Sequence, residues 1–233
     1  MKIRALHDWD VSYDKAVRIQ EGLRKRLVLS GDIHPFNITT IAGADISYSP
    51  GDDVFYASVV LIEYPALKVI ETVCHSERVT FPYIPGLLTF REGPPLLAAF
   101  ERLAGVPDVV IFDGHGTAHP RRIGLASHMG LFLDVPTIGC AKKRLIGVYE
   151  EPGTGRGESS LLTLENETIG AVVRTREKVK PVFVSQGHKI DLDSAVGIVL
   201  SCCRRYRLPE PTRTAHLEVN RFRRECSSPL SSR

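Results

Sequence analysis

Two aspartates stand where a carboxylate is costly to place. Asp45 interrupts the apolar run Ile41-Ala42-Gly43-Ala44-Asp45-Ile46. A charge inside such a strand costs several kcal/mol unless it is paired or binds a cation. Alternation puts it on the face of Gly43 and Ser47, small residues that leave room beside it. Asp113 closes the compact run Val109-Val110-Ile111-Phe112 and leads into Gly114-His115-Gly116. Ligand crevices open at the carboxyl ends of parallel strands, and flanking glycines admit a second backbone. Glu92 stands before Gly93-Pro94-Pro95 and a helical stretch. Together the three carboxylates offer oxygen ligands of the kind Mg²⁺ takes alongside water and substrate phosphate. A cation so held activates water and offsets charge on a phosphate in transfer. Each also has a plainer reading: a solvated strand face for Asp45, an Asx-turn for Asp113, a helix-terminal charge for Glu92.

Other segments could assist. In Phe81-Pro82-Tyr83-Ile84-Pro85-Gly86 the prolines stiffen the chain around an aromatic residue. That suits either a wedge between stacked bases or a loop packing its own tyrosine. His119-Pro120-Arg121-Arg122 and Ala141-Lys142-Lys143-Arg144 follow the two central strands and could serve proton transfer and phosphate contact. A satisfied imidazole and a solvated basic turn are their ordinary meanings. Gly153-Thr154-Gly155-Arg156-Gly157 lacks the Gly-Lys-Ser/Thr ending of a phosphate-binding loop. Neither a zinc-protease nor a nucleophile-elbow signature is present. Five cysteines, an odd number without a Cys-x-x-Cys pair, fit neither a disulfide framework nor a zinc finger.

The elements that must position these groups follow from periodicity. Residues 10–27 read as an amphipathic helix, with Asp10, Ser12 or Asp14 able to cap it. Residues 37–48, 54–64 and 68–79 read as a three-stranded antiparallel meander. Beyond it, helices over 94–103, 123–133 and 191–203 alternate with strands over 109–112, 136–140, 169–174 and 182–184, a pattern that predicts parallel pairing. Residues 150–160 read as a surface loop. The 233 residues, 43% hydrophobic and 24% charged with mean hydropathy -0.04, describe a globular chain rather than a disordered or fibrous one. No run approaches the ~20 apolar residues of a membrane span, and no signal-like stretch opens the sequence, so a soluble, cytoplasmic protein is expected. Eight arginines against three glutamates from Arg204 onward give a basic end on a body of net charge -2. This end suits a nucleic-acid backbone or a frayed, solvated tail equally.

Read in order, Asp45-Ile46-Ser47-Tyr48, Pro82-Tyr83-Ile84-Pro85-Gly86, Phe90-Arg91-Glu92, Asp113-Gly114-His115-Gly116 and His119-Pro120-Arg121-Arg122-Ile123-Gly124-Leu125-Ala126-Ser127-His128 resemble the endonuclease V family. Pro136-Thr137-Ile138-Gly139-Cys140-Ala141-Lys142-Lys143-Arg144-Leu145 and Pro211-Thr212-Arg213-Thr214-Ala215-His216 extend the resemblance. It implies an RNase H-like α/β fold, a mixed sheet flanked by helices; with no linker in sight the chain reads as a single domain over 1–226, and its Ser-rich end at 227–233 reads as a disordered tail. It implies a Mg²⁺-dependent endonuclease, with Mn²⁺ able to substitute, acting on DNA that contains deoxyinosine. The cut falls at the second phosphodiester bond 3′ of the lesion, leaving 3′-hydroxyl and 5′-phosphate ends.

By the same resemblance Asp45 and Asp113 bind the metal, Glu92 holds its water shell or the attacking water, and His119 acts near the phosphate. Lys142 stabilises phosphate charge and His216 orients a metal-bound water. Pro82, Tyr83, Ile84 and Pro85 form a strand-separating wedge, and Gly86, Leu88, Gly114 and Gly124 receive the base. Gln186 departs from the family's Ser-Pro-Gly-His. Inosine in RNA as substrate, and a non-catalytic lesion binder, are the competing expectations. A monomer without an obligatory protein partner is assumed.

Overall fold

The computed structural model describes residues 1–31, 33 and 37–227. Eight strands form one mixed sheet. β1 (Thr40–Ser47), β2 (Val54–Glu63) and β3 (Lys68–Arg78) are the antiparallel meander read from the sequence. β4 (Val109–Phe112) and β5 (Thr137–Ala141) join β1 in parallel. β6 (Ser159–Leu164), β7 (Glu167–Val173) and β8 (Val182–His188) complete the order β3-β2-β1-β4-β5-β8-β7-β6. The expected parallel pairing therefore stops at β5, since β8, β7 and β6 all pair antiparallel. Glu165 and Asn166, at φ 52 and 65, close β6 onto β7 in a two-residue turn. Positive φ at both central positions gives the twist that an antiparallel hairpin needs.

Helices cover both faces. α1 (Tyr13–Arg24) is capped by Ser12, which accepts from Lys15 N–H. α2 (Leu88–Glu101) and α3 (Leu125–Leu133) bury Leu96, Phe100 and Met129 against Ala42, Val59, Val110 and Phe112. α4 (Leu192–Cys202) packs Ala195, Ile198 and Val199 on the alternate residues Ile41, Val109 and Ile111. α2 starts six residues before the expected 94–103 helix, so Phe90-Arg91-Glu92 are helical and Pro94 and Pro95 lie inside. Burial of Phe90, Leu96 and Phe100 outweighs the backbone bonds that two prolines forgo.

Up to Ser227 the basic end is a docked helix. α5 (Glu210–Ser227) lies across β1 and β2, burying Pro211, Thr212, Ala215 and Val219. At Gly43 an added Cβ would stand 2.1 Å from the Pro211 carbonyl. The space that glycine leaves beside Asp45 is filled by the start of α5. The tail expected over 227–233 falls outside the described residues beyond Ser227. All five cysteines are free thiols, with Cys140, Cys202 and Cys203 buried.

Candidate active site

Register creates the central pair. Ala44 of β1 stands opposite Phe112 of the parallel β4, so the next residues, Asp45 and Asp113, emerge side by side at the sheet's carboxyl end. Their side chains are only 11% and 16% exposed. Each meets one cation: His216 Nδ1 donates to Asp45 Oδ2 at 2.7 Å, and Lys142 Nζ donates to Asp113 Oδ2. α5 carries His216 to the pair, and Asn220 one turn on donates to the His216 carbonyl at 2.8 Å and accepts from Ser47 Oγ at 2.9 Å.

Glu92 reaches the same end of the sheet from α2. Burial first, then the charges of Asp45 and Asp113, push its carboxyl up to about 8 against the opposing pull of Arg91. Burial and Asp45 likewise raise Asp113 while Lys142 draws it down. The Asp45 carboxylate raises His216, so the imidazole favours its charged form. Three acidic oxygens donors repelling one another make a hard, anionic site whose chemistry fits a divalent cation. Among the described residues no three His, Cys, Asp or Glu side chains enclose a metal unaided. Two direct carboxylates completed by water and phosphate is the coordination that Mg²⁺ ordinarily takes.

Beyond Asp113 the chain turns through Gly114 and His115 into the wall of a cavity of about 160 Å³. Tyr83, Ile84, Pro85, Gly86 and Leu88 form one side; Gly114, His119 and Gly124 form the other. The volume suits one flat ring system rather than a whole nucleotide. Tyr83 stands 64% exposed at the rim. Gly86, at φ +80, would push a Cβ to 2.8 Å from the Arg121 guanidinium, and its carbonyl accepts from Gln20 Nε2, His119 Nε2 and Arg121.

His119 is thereby placed in the cavity wall. Its Nδ1 accepts from the Arg121 N–H at 3.2 Å while its Nε2–H serves Gly86, and burial lowers its pKa to about 4. Both ring nitrogens bond to backbone, so this imidazole ties the wedge loop to the turn after β4. Sequence reasoning passed over Thr89, His115, Leu125 and Leu145, which also line the cavity. It also passed over Gln20, fully buried on α1, which accepts from Arg121 Nε at 2.6 Å. Gln20 lies between Ala16 and Leu23 on the buried stripe of its helix, and a polar residue in that stripe was the available signal. Gln186 uses its amide to bond the carbonyls of Leu29 and Ile190.

The family profile of endonuclease V matches residues 21–217. An endonuclease V of Gloeobacter violaceus is 48% identical over 223 residues, 94% of this chain and 90% of its own. The crystal structure of endonuclease V from Streptomyces avermitilis superposes with TM-score 0.91 at 38% identity, over 98% of this chain and all of the other. Endonuclease V of Ciona intestinalis, solved with a 24mer DNA containing an inosine followed by a ribo-adenosine, matches with TM-score 0.82 at 29% identity over 92% of this chain and 98% of that one. The fold is RNase H-like, and with its carboxylate pair, its cavity and these relatives the chain belongs to the endonuclease V family of nucleases.

Proposed function

We propose that the protein is a Mg²⁺-dependent DNA repair endonuclease that recognises deoxyinosine and hydrolyses the second phosphodiester bond on its 3′ side, leaving 3′-hydroxyl and 5′-phosphate ends. The observation carrying this reading is the single turn Asp113-Gly114-His115, which joins the carboxylate pair to a cavity sized for one base. Endonuclease V nucleases depend in general on a divalent metal. Asp45 and Asp113 would hold it, with Mn²⁺ able to replace Mg²⁺. When bound, the cation supplies Lewis acidity for activating water and neutralising phosphate charge. Lys142 places its ammonium beside Asp113, where it offsets charge gathering on the scissile phosphate. His216, fixed on Asp45, orients a water with its exposed ring edge. Glu92 holds a proton at its carboxyl more readily than a solvated acid, and so can donate to or accept from that water.

Tyr83, stiffened by Pro82 and Pro85 with Ile84 beside it, parts the strand at the cavity rim. The turned-out hypoxanthine then lies against backbone at Gly86, Leu88, Gly114 and Gly124. Backbone donors at its O6 reject adenine, whose exocyclic amine would leave a donor unpaired. Such an enzyme would act in the cytoplasm as a monomer. A second reading, cleavage beside inosine in RNA, is favoured by the ribonucleotide in the strand bound by the Ciona relative.

The test is an end-labelled duplex with one deoxyinosine beside its adenine counterpart and a matched RNA, each in Mg²⁺ and in chelator. A Mg²⁺-dependent nick on the 3′ side of inosine in DNA alone is expected. Cutting of the RNA alone would transfer the assignment, and binding without cutting would leave a lesion binder.

A further inference from the structure

The segment carrying Lys142 borders a second concavity. Leu145 lines the base cavity, whereas Lys142, Lys143 and Arg144 line a groove of about 730 Å³ that shares no residue with it. Lys180 and Arg207 complete the groove's basic lining, so five cations converge from three separate parts of the chain. Its one carboxylate, Glu151, is bonded to Arg174 at 2.9 Å. Arg207 is anchored: one of its nitrogens donates to the carbonyls of Lys142 and Pro181 at 2.8 and 2.6 Å, tying the segment after β5 to the start of β8. Arg144 stacks over Tyr149 at 5.6 Å, and Tyr149 meets Phe183 edge-on at 5.5 Å. A solvated basic turn would be convex and interspersed with acids. This surface is concave, aromatic-floored and starved of anions, and its self-repulsion is relieved by a polyanion.

We propose that this groove binds the sugar–phosphate backbone of the substrate strand outside the stretch that runs from the lesion cavity to the carboxylates. The inference rests on the nuclease reading above. It adds Lys143, Arg144 and Lys180 as phosphate-binding residues that fix the strand's path beyond the reacting phosphate. Such contacts carry no sequence information and scale with salt.

The experiment measures affinity of the full chain in chelator, for a labelled inosine-containing strand and its adenine counterpart, from about 50 to about 200 mM salt. Lys143→Ala and Lys180→Ala are each expected to weaken binding about three- to tenfold and to flatten the log–log salt slope by about 1, the double variant by about 2. Both strands should lose equally. Lys68→Ala, which removes an exposed charge on β3, should leave the slope unchanged. Slopes for Lys143→Ala and Lys180→Ala that match that of Lys68→Ala would overturn the groove. A parent protein with no preference for inosine would sink the lesion reading while the slopes still judged the groove.

Discussion

Glu92 is where burial and charge conflict most sharply. Its carboxyl, raised from 4.5 to about 8 by burial and two neighbouring aspartates, binds its proton more tightly in the folded chain than in the unfolded one. Between those values stability therefore falls as pH rises, and above 8 the whole penalty is present. In chelator Glu92→Gln should melt at the parent's temperature near pH 4 and on the order of 10 °C higher at pH 9. Thermal unfolding across pH checks this, and an unchanged difference would show that neither burial nor the neighbouring aspartates raise Glu92. Asp45→Asn and Asp113→Asn each remove a charge that the site needs for its cation. Both should lower single-turnover nicking of the inosine duplex at least about a thousandfold, some 4 kcal/mol of transition-state stabilisation. Tyr83→Ala is expected to cost about tenfold or more on duplex and little on single strand, because only the duplex must be unstacked. Equal losses on both substrates would remove the wedge.

At the scale of elements, what could be read depended on whether the signal was local. β1 to β5 declared themselves by apolar runs between turns, and the two aspartates stood out because they broke those runs. α5 did not. Its buried positions Pro211, Thr212, Ala215 and Val219 are small, so it lacks the bulky stripe that marks a docked helix and read as a tail. β6 was hidden because Glu165-Asn166 is not the Asn-Gly pair that signals a tight hairpin. Tertiary burial alone extends α2 back to Leu88 and makes Glu92 part of a helix. The base cavity is assembled from loops remote in sequence, so its motifs were visible while its enclosure, and the role of Gln20, were not. One inter-element tie is testable by itself. Asp108 Oδ2 accepts from Thr39 and Thr40 through both backbone N–H groups and both hydroxyls, joining the starts of β1 and β4. Burial would raise its pKa, but these bonds prevail and hold it low. Asp108→Ala should cost ~1–2 kcal/mol, lowering the melting temperature by about 2–6 °C. A chemical-denaturation midpoint equal to the parent's would show that the strand starts are held otherwise.

Across the whole molecule, buried imidazoles set the response to acid. His115, His119 and His188 are lowered to about 4, each chiefly by burial, and burial likewise holds His128 well below its ordinary value. They lie in the base cavity wall, on α3 and at the carboxyl end of β8, so no single element owns the effect. An unfolded chain binds these protons from about 6.5 downward, whereas the folded one refuses them until about 4. Stability supplied by the neutral rings is thus complete above 6.5 and is lost as pH falls towards 4. Glu92 and His216, both raised, slope the other way over part of this range. A direct comparison of variants cancels them. His188 Nδ1 accepts from the Val28 N–H at 3.2 Å, a bond that a glutamine oxygen can replace without titrating. The unfolding free energy of the parent, measured relative to His188→Gln by chemical denaturation, should therefore be flat above pH 6.5 and drop steadily below it, by on the order of 1 kcal/mol per pH unit. A difference that stayed constant down to pH 4 would mean that His188 is protonated within the sheet, and that the fold tolerates there the charge that its burial argues against.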